Sequence, residues 1–138
     1  MKTTKTFKIY FLLTFVLINV LYASPSYSLI SREDLFKDSL NLSSSGNFNL
    51  ALEKWNNYLE LFPDDAAALS NRGNVKLVLG DPEGAIMDQD KAIDLDPEEV
   101  DPYINRGIAE ESQGLWLKAK TDYLHVIAKD SENFSALY

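Results

Sequence analysis

Residues 71–107 read NRGNVKLVLGDPEGAIMDQDKAIDLDPEEVDPYINRG, opening and closing on the same tripeptide 34 positions apart. The spacing persists outward from this stretch. Gly46, Gly80 and Gly114 keep it, and Ala51, Ala85 and Ala119 follow each glycine by five residues. Asp88 and Asp122, Ile93 and Ile127, and Pro63 and Pro97 keep it too, with Ser131 in the third proline slot. Self-similarity at a period of about 20–50 residues marks a stacked-repeat architecture, in which neighbouring units bury what one unit cannot bury alone.

Each unit carries two amphipathic segments around a glycine-centred breaker. In the middle unit the pattern predicts a first helix over residues 66–79. Gly80 fits the left-handed position after it, Asp81 caps the second helix, and Pro82 takes the first helical position, where a missing N–H costs nothing. Asp101-Pro102 is expected to open the next helix in the same way. Ala85 and Ala119 are small because two helices must approach closely there. Gly73 and Gly107 sit inside first helices, at about 1 kcal/mol each relative to alanine. That cost is reasonable if the facing helix fills the space of a side chain. Arg72/Asp88 and Arg106/Asp122 occupy matched positions on first and second helices, and Asp38/Lys54 carry the reversed signs in the first unit. A salt bridge within each unit is expected, near the surface and weak.

The register resembles the tetratricopeptide repeat (TPR) family, most strongly over Asn71-Arg72-Gly73, Leu79-Gly80-Asp81, Ala85-Ile86 and Lys91 to Pro97. The resemblance implies an all-α, right-handed superhelical solenoid of three helix–turn–helix repeats following an N-terminal signal or anchor helix. The repeats are placed at 32–65, 66–99 and 100–133, with 134–138 as the start of a truncated fourth helix. Either the chain is a piece of a longer array, or this end, with Trp116, Phe134, Leu137 and Tyr138, docks on a partner or a second copy.

Residues 1–28 read as an address. Lys2, Lys5 and Lys8 precede an apolar run over 9–21, and small turn-forming residues follow it through Ser28. This is the layout of a secretory signal peptide. About 13 apolar residues span roughly 20 Å as a helix, short for a hydrocarbon core of about 30 Å. An uncleaved anchor over residues 9–23 and a core helix are the alternative readings. The signal places the domain in a periplasm, an organelle lumen or the exterior.

The chain of 138 residues has a formal net charge of −8, but this averages two unlike pieces. Past residue 28 there are 10 basic against 21 acidic residues, a net of −11. Such a body repels phosphate backbones and excludes nucleic acid as an expected partner. The absence of cysteine removes disulfides, thiolate metal sites and a thiol nucleophile. His125 is the single histidine, so neither a catalytic triad nor a multi-histidine metal site can be assembled. Asp88, Asp90, Asp94 and Asp96 lack the spacing of a calcium loop and read as a solvated acidic face. Glu110 and Glu111 diverge on a helix and do not make a glycosidase pair. No enzyme, cofactor or metal site is expected.

Function is then left to the concave groove that the TPR resemblance implies. Carried over position by position, its lining comprises Phe36, Lys37 and Leu40 from the first repeat. The second contributes Ser70, Asn71, Asn74 and Leu77, and the third Ile104, Asn105, Ile108 and Glu111. Amides suit the backbone of a docked peptide and apolar neighbours suit its side chains. Some TPR domains clamp acidic C-termini through basic residues. Asn71 matches the central Asn of that clamp, but Phe36, Leu40, Asp101 and Asn105 fill the flanking positions. A neutral, basic or apolar partner is expected, with a membrane tether through residues 9–23 and self-association through the C-terminal end as further readings.

Overall fold

The computed structural model describes residues 31–135, with side chains over residues 31–129. The address over 1–28 and the last three residues lie outside this range. Six helices follow one another: α1 (Arg32–Ser44), α2 (Phe48–Leu61), α3 (Ala66–Val78), α4 (Pro82–Leu95), α5 (Asp101–Ser112) and α6 (Trp116–Ser135).

The turns inside the three helix pairs share one physical cause. Gly46, Gly80 and Gly114 have φ of 80°, 85° and 74°, which L side chains rarely adopt. In each, the glycine N–H and the next N–H donate back to carbonyls of the helix just ended. Around Gly80 these bonds run from Gly80 to Leu77 (3.1 Å) and from Asp81 to Lys76 (2.9 Å). That two-bond closure satisfies the last carbonyls of the helix. Asp81 Oδ1 then accepts from the Gly84 N–H at 2.9 Å, with Pro82 opening α4.

The start of α5 differs from its expectation. Val100 is in a right-handed helical conformation and is the capping position, so Asp101 lies within the first turn. The side chain that serves this turn is Glu99, whose Oε1 accepts from the N–H groups of Val100 (3.1 Å) and Asp101 (3.5 Å).

Each helix packs on the next in the chain. In addition α1 touches α3 and α3 touches α5, whereas α2 and α4, and α4 and α6, stand apart. First helices are therefore closer together than second helices, and the layer curves with α1, α3 and α5 on its inner side.

The aromatic part of the core lies at the N-terminal end. Trp55 and Tyr58 are fully buried, and Phe36 meets both rings edge-on at centroid distances of 5.0 and 5.6 Å. Phe62 tilts against Tyr58 at 4.9 Å. Such pairs add about 0.5–1.5 kcal/mol each beyond their area burial. Asp65 ties this cluster to the next repeat. It accepts from Tyr58 Oη (2.6 Å) and Arg32 Nη2 (2.7 Å), and its other oxygen caps α3 at the Ala68 N–H (3.0 Å). Burial pushes the Asp65 carboxyl up, but these hydrogen bonds outweigh it and hold the group below its ordinary value.

Further along, small residues replace aromatics. A Cβ on Gly73 would stand 2.7 Å from Gln89 Nε2 and 3.2 Å from the Ala85 carbonyl; on Gly107 it would meet the Tyr123 ring at 2.5 Å. The facing helix does fill the space. The Arg–Asp bridges form in two pairs only. Arg72 and Arg106 each fork onto Asp88 and Asp122 with bonds of 2.7 and 2.8 Å. No ion pair joins Asp38 and Lys54 among the described residues, which corrects the expectation of one in every repeat. The forks are also less superficial than expected, since Asp88 and Asp122 are each only 5% exposed. Asp88 therefore does not belong to a solvated face, and Lys76 reaches it as well, at 2.9 Å.

Each arginine also holds the preceding pair of helices. Arg72 Nη1 donates to Asn56 Oδ1 (3.1 Å) and Arg106 Nη1 to Asp90 Oδ1 (2.6 Å). Lys91 donates to the Pro63 carbonyl at 2.7 Å, while the matching His125 instead stacks on Tyr103 at 4.1 Å. Lys129, one turn on, pairs with Glu98.

The expected break before residue 134 is absent: α6 runs unbroken to Ser135. Residues 134 and 135 thus continue this helix instead of beginning a fourth hairpin. Ser131 stands where Pro63 and Pro97 end the earlier second helices, and it neither removes a donor nor restricts the residue before it. No helix among the described residues is long and apolar enough to cross a membrane.

Candidate functional site

On the inner side, α3 and α5 diverge around a cavity of about 230 Å³. Ser70, Asn71 and Asn74 line it from α3, Asp101 and Asn105 from α5, and Asp96 and Glu99 from the connection between α4 and α5. The side chains are held locally. Asn71 Nδ2 donates to the Ala67 carbonyl one turn back (2.8 Å), and Asn105 Nδ2 donates across the cleft to Ser70 Oγ (3.2 Å). Behind them, buried Gln89 donates through Nε2 to the Ser70 carbonyl (3.0 Å) and to Asn74 Oδ1 (3.3 Å). The cavity is walled by amides, a hydroxyl and carboxylates together with the apolar Ala66, Ala67 and Pro102, with no lysine, arginine or histidine among the described residues of its lining.

No family model matches the chain. Over 104 residues it is 29% identical to "Tetratricopeptide repeat protein 36" of Danio rerio, covering 72% of this chain and 56% of that protein. It is 33% identical over 86 residues to a TPR repeat-containing thioredoxin of Arabidopsis thaliana, covering 62% of this chain and 22% of that protein. The chain thus spans about half the length, or less, of the curated relatives it matches. Among solved structures, the first TPR of Spaghetti (RPAP3), bound to the HSP90 peptide SRMEEVD, superposes with a TM-score of 0.69. That match has 22% identity and covers 77% of this chain and 84% of the other. The TPR2B domain of yeast Sti1, in complex with an Hsp70 peptide, gives 0.69 at 25% identity, covering 73% and 81%. The three helix pairs have the fold of tetratricopeptide repeats.

Within the TPR frame, the predicted groove residues separate into two groups. Ser70, Asn71, Asn74 and Asn105 meet at the cavity. Lys37, Leu40, Leu77, Ile104, Ile108 and Glu111 lie outside its walls. Phe36 is half-buried in the aromatic cluster and serves the core. Lys37, Leu40 and Ile108 are exposed, and exposed Glu111 accepts from Tyr123 Oη at 3.1 Å.

Two residues of the cleft were missed. Asp96 and Glu99 belong to an acidic run that reads as a solvated face, because their TPR positions follow the second helix and precede the next first helix. The signal that could have found them is their adjacency to Asp101, which fills a flanking position of the clamp pattern. Among the described residues no group of three or more His, Cys, Asp or Glu side chains is placed to hold a metal ion.

Proposed function

We propose that this TPR module is a non-enzymatic protein–protein interaction unit, a scaffold, adaptor or assembly factor, that docks an extended peptide or partner segment on its concave face. The cleft between α3 and α5 carries the reading, because Asn71, Asn74 and Asn105 offer a peptide backbone both donors and acceptors on the inner side. The peptide-bound TPR domains among the solved structures support it. The acidic lining favours a neutral, basic or apolar segment over one like SRMEEVD. Crosslinking capture by the full chain is expected to be lost in an Asn71→Ala/Asn105→Ala variant that keeps wild-type helix content. Capture undiminished in that variant would refute docking at this cleft.

The working compartment is extracytoplasmic in this reading, carried by the charged, apolar and small-residue layout of residues 1–28. A tethered form, with residues 9–23 kept as an anchor organising a membrane complex, follows from the same apolar run. N-terminal sequencing of the protein from its native source separates the two: a start near residue 29 supports release, and a start at Met1 supports the tether. Self-association through α6 is a further element, since Trp116, Leu117 and Ile127 are 65%, 82% and 60% exposed. Sedimentation of a Trp116→Ser/Leu117→Ser variant at high concentration tests it, with loss of any dimer expected.

A further inference from the structure

We infer that the cleft between α3 and α5 receives the side chain of a lysine or arginine carried by the docked segment. The inference rests on the docking reading above and adds the chemistry of what enters.

Hydrogen-bond accounting supports it. Asn71 and Asn105 each commit an Nδ2 donor to the protein, to the Ala67 carbonyl and to Ser70 Oγ, which leaves their Oδ1 atoms as acceptors. Asn74 is arranged the other way: its Oδ1 receives Gln89 Nε2, so its NH₂ remains for a peptide carbonyl. One amide is set to hold the visiting backbone and two to receive donors.

Charge accounting agrees. Asp88, Asp90 and Asp122 each bind an arginine. Asp96, Glu99 and Asp101 make no ion pair among the described residues, although all three line the cavity. Asp96 and Glu99 are partly occupied by backbone N–H groups, of Glu98 and of Val100 and Asp101. The Asp101 carboxylate receives no hydrogen bond among the described residues. Three carboxylates left without a cation, beside two amide oxygens, complement an ammonium or guanidinium group. The cavity, at about 230 Å³, suits one side chain better than a whole small-molecule ligand, whose pockets run to about 300–1,000 Å³.

The test is a random heptapeptide library displayed on phage and panned on the full chain. Peptides that survive are resynthesised with each Arg or Lys replaced by neutral citrulline or Gln. Each is titrated by fluorescence anisotropy against wild type, Asp101→Asn and Asn71→Ala. Selected peptides are expected to share a basic residue. Its neutralisation, or Asp101→Asn, is expected to weaken binding about five- to tenfold, and added salt to weaken the wild-type complex. Asp101 is exposed, so the Asn variant tests charge without disturbing the core. Peptides without a basic residue that still need Asn71 would overturn this inference and leave the docking reading standing. Binding insensitive to both Asn71→Ala and Asp101→Asn, or no selected peptide at all, would overturn the docking reading and the inference together.

Discussion

The first and third repeats place similar backbones around different interiors. In the first, Trp55 and Tyr58 are buried with Phe36 and Phe62 against them. In the third, the buried apolar residues among those described are Pro102, Ala109 and Ala119, and the space over Gly107 is taken by Tyr123. What the third repeat lacks in apolar burial it partly replaces with the buried fork of Arg106 on Asp122. A hairpin of one geometry can thus be held by ring packing or by a charged lock. The two respond differently to mutation and pH.

The largest expected effect is at Trp55. Replacing it with alanine empties the centre of the aromatic cluster and removes the indole N–H that Ser43 Oγ accepts at 3.0 Å. A loss of about 3–5 kcal/mol is expected in urea unfolding. Tyr123→Ala, the matched change, should cost clearly less. Equal costs would break the contrast between the two interiors.

Next is the charged lock. Asp122→Ala leaves the Arg106 guanidinium without its main partner and should cost about 1–3 kcal/mol. Asp38→Ala, at the site where no bridge forms, should change stability by less than about 0.5 kcal/mol. Similar costs at both sites would show that the buried fork carries no special weight.

A smaller effect sharpens the contrast through pH. Glu110 is 5% exposed and its Oε2 has no hydrogen-bond partner among the described residues. Burial and then the Asp122 charge push its carboxyl above the ordinary value. The folded state therefore holds this proton to higher pH than the unfolded chain. Its contribution is most favourable at low pH and weakens as pH rises from about 4.5 through the raised value. Glu110→Gln should stabilise the protein near pH 7 and flatten this slope. Asp65, held low in the first repeat, has the opposite sign: its stabilisation is present above the ordinary carboxylate range and is lost as pH falls through its lowered value. Thermal unfolding between about pH 2 and pH 7 reads both, Asp65 at the acid end and Glu110 above it. An unchanged slope in Glu110→Gln would remove Glu110 as its source.

The second repeat explains why Glu110 is exceptional. Lys76 stands 34 residues earlier and pairs with Asp88, whereas Glu110 faces the like charge of Asp122. That reversal is visible in the sequence once the repeats are aligned. Its consequence depends on burial, which the alignment does not contain. The same holds for the cleft. Asn71 and Asn105 are legible as groove residues, but Asp96 and Glu99 join them only because the connection from α4 to α5 turns back over α3.

By itself the sequence determined the local events: three left-handed glycine turns, the Asp81 cap with Pro82, and the small residues where helices meet. Each depends on conformational preferences or volumes that a residue carries wherever it sits. Tertiary structure alone decided which carboxylates are buried, that Arg72 and Arg106 also grip the preceding repeat, that Phe36 serves the core, and that α6 passes its expected end. These outcomes depend on partners many residues away, and on whether a neighbouring helix replaces water around a charge.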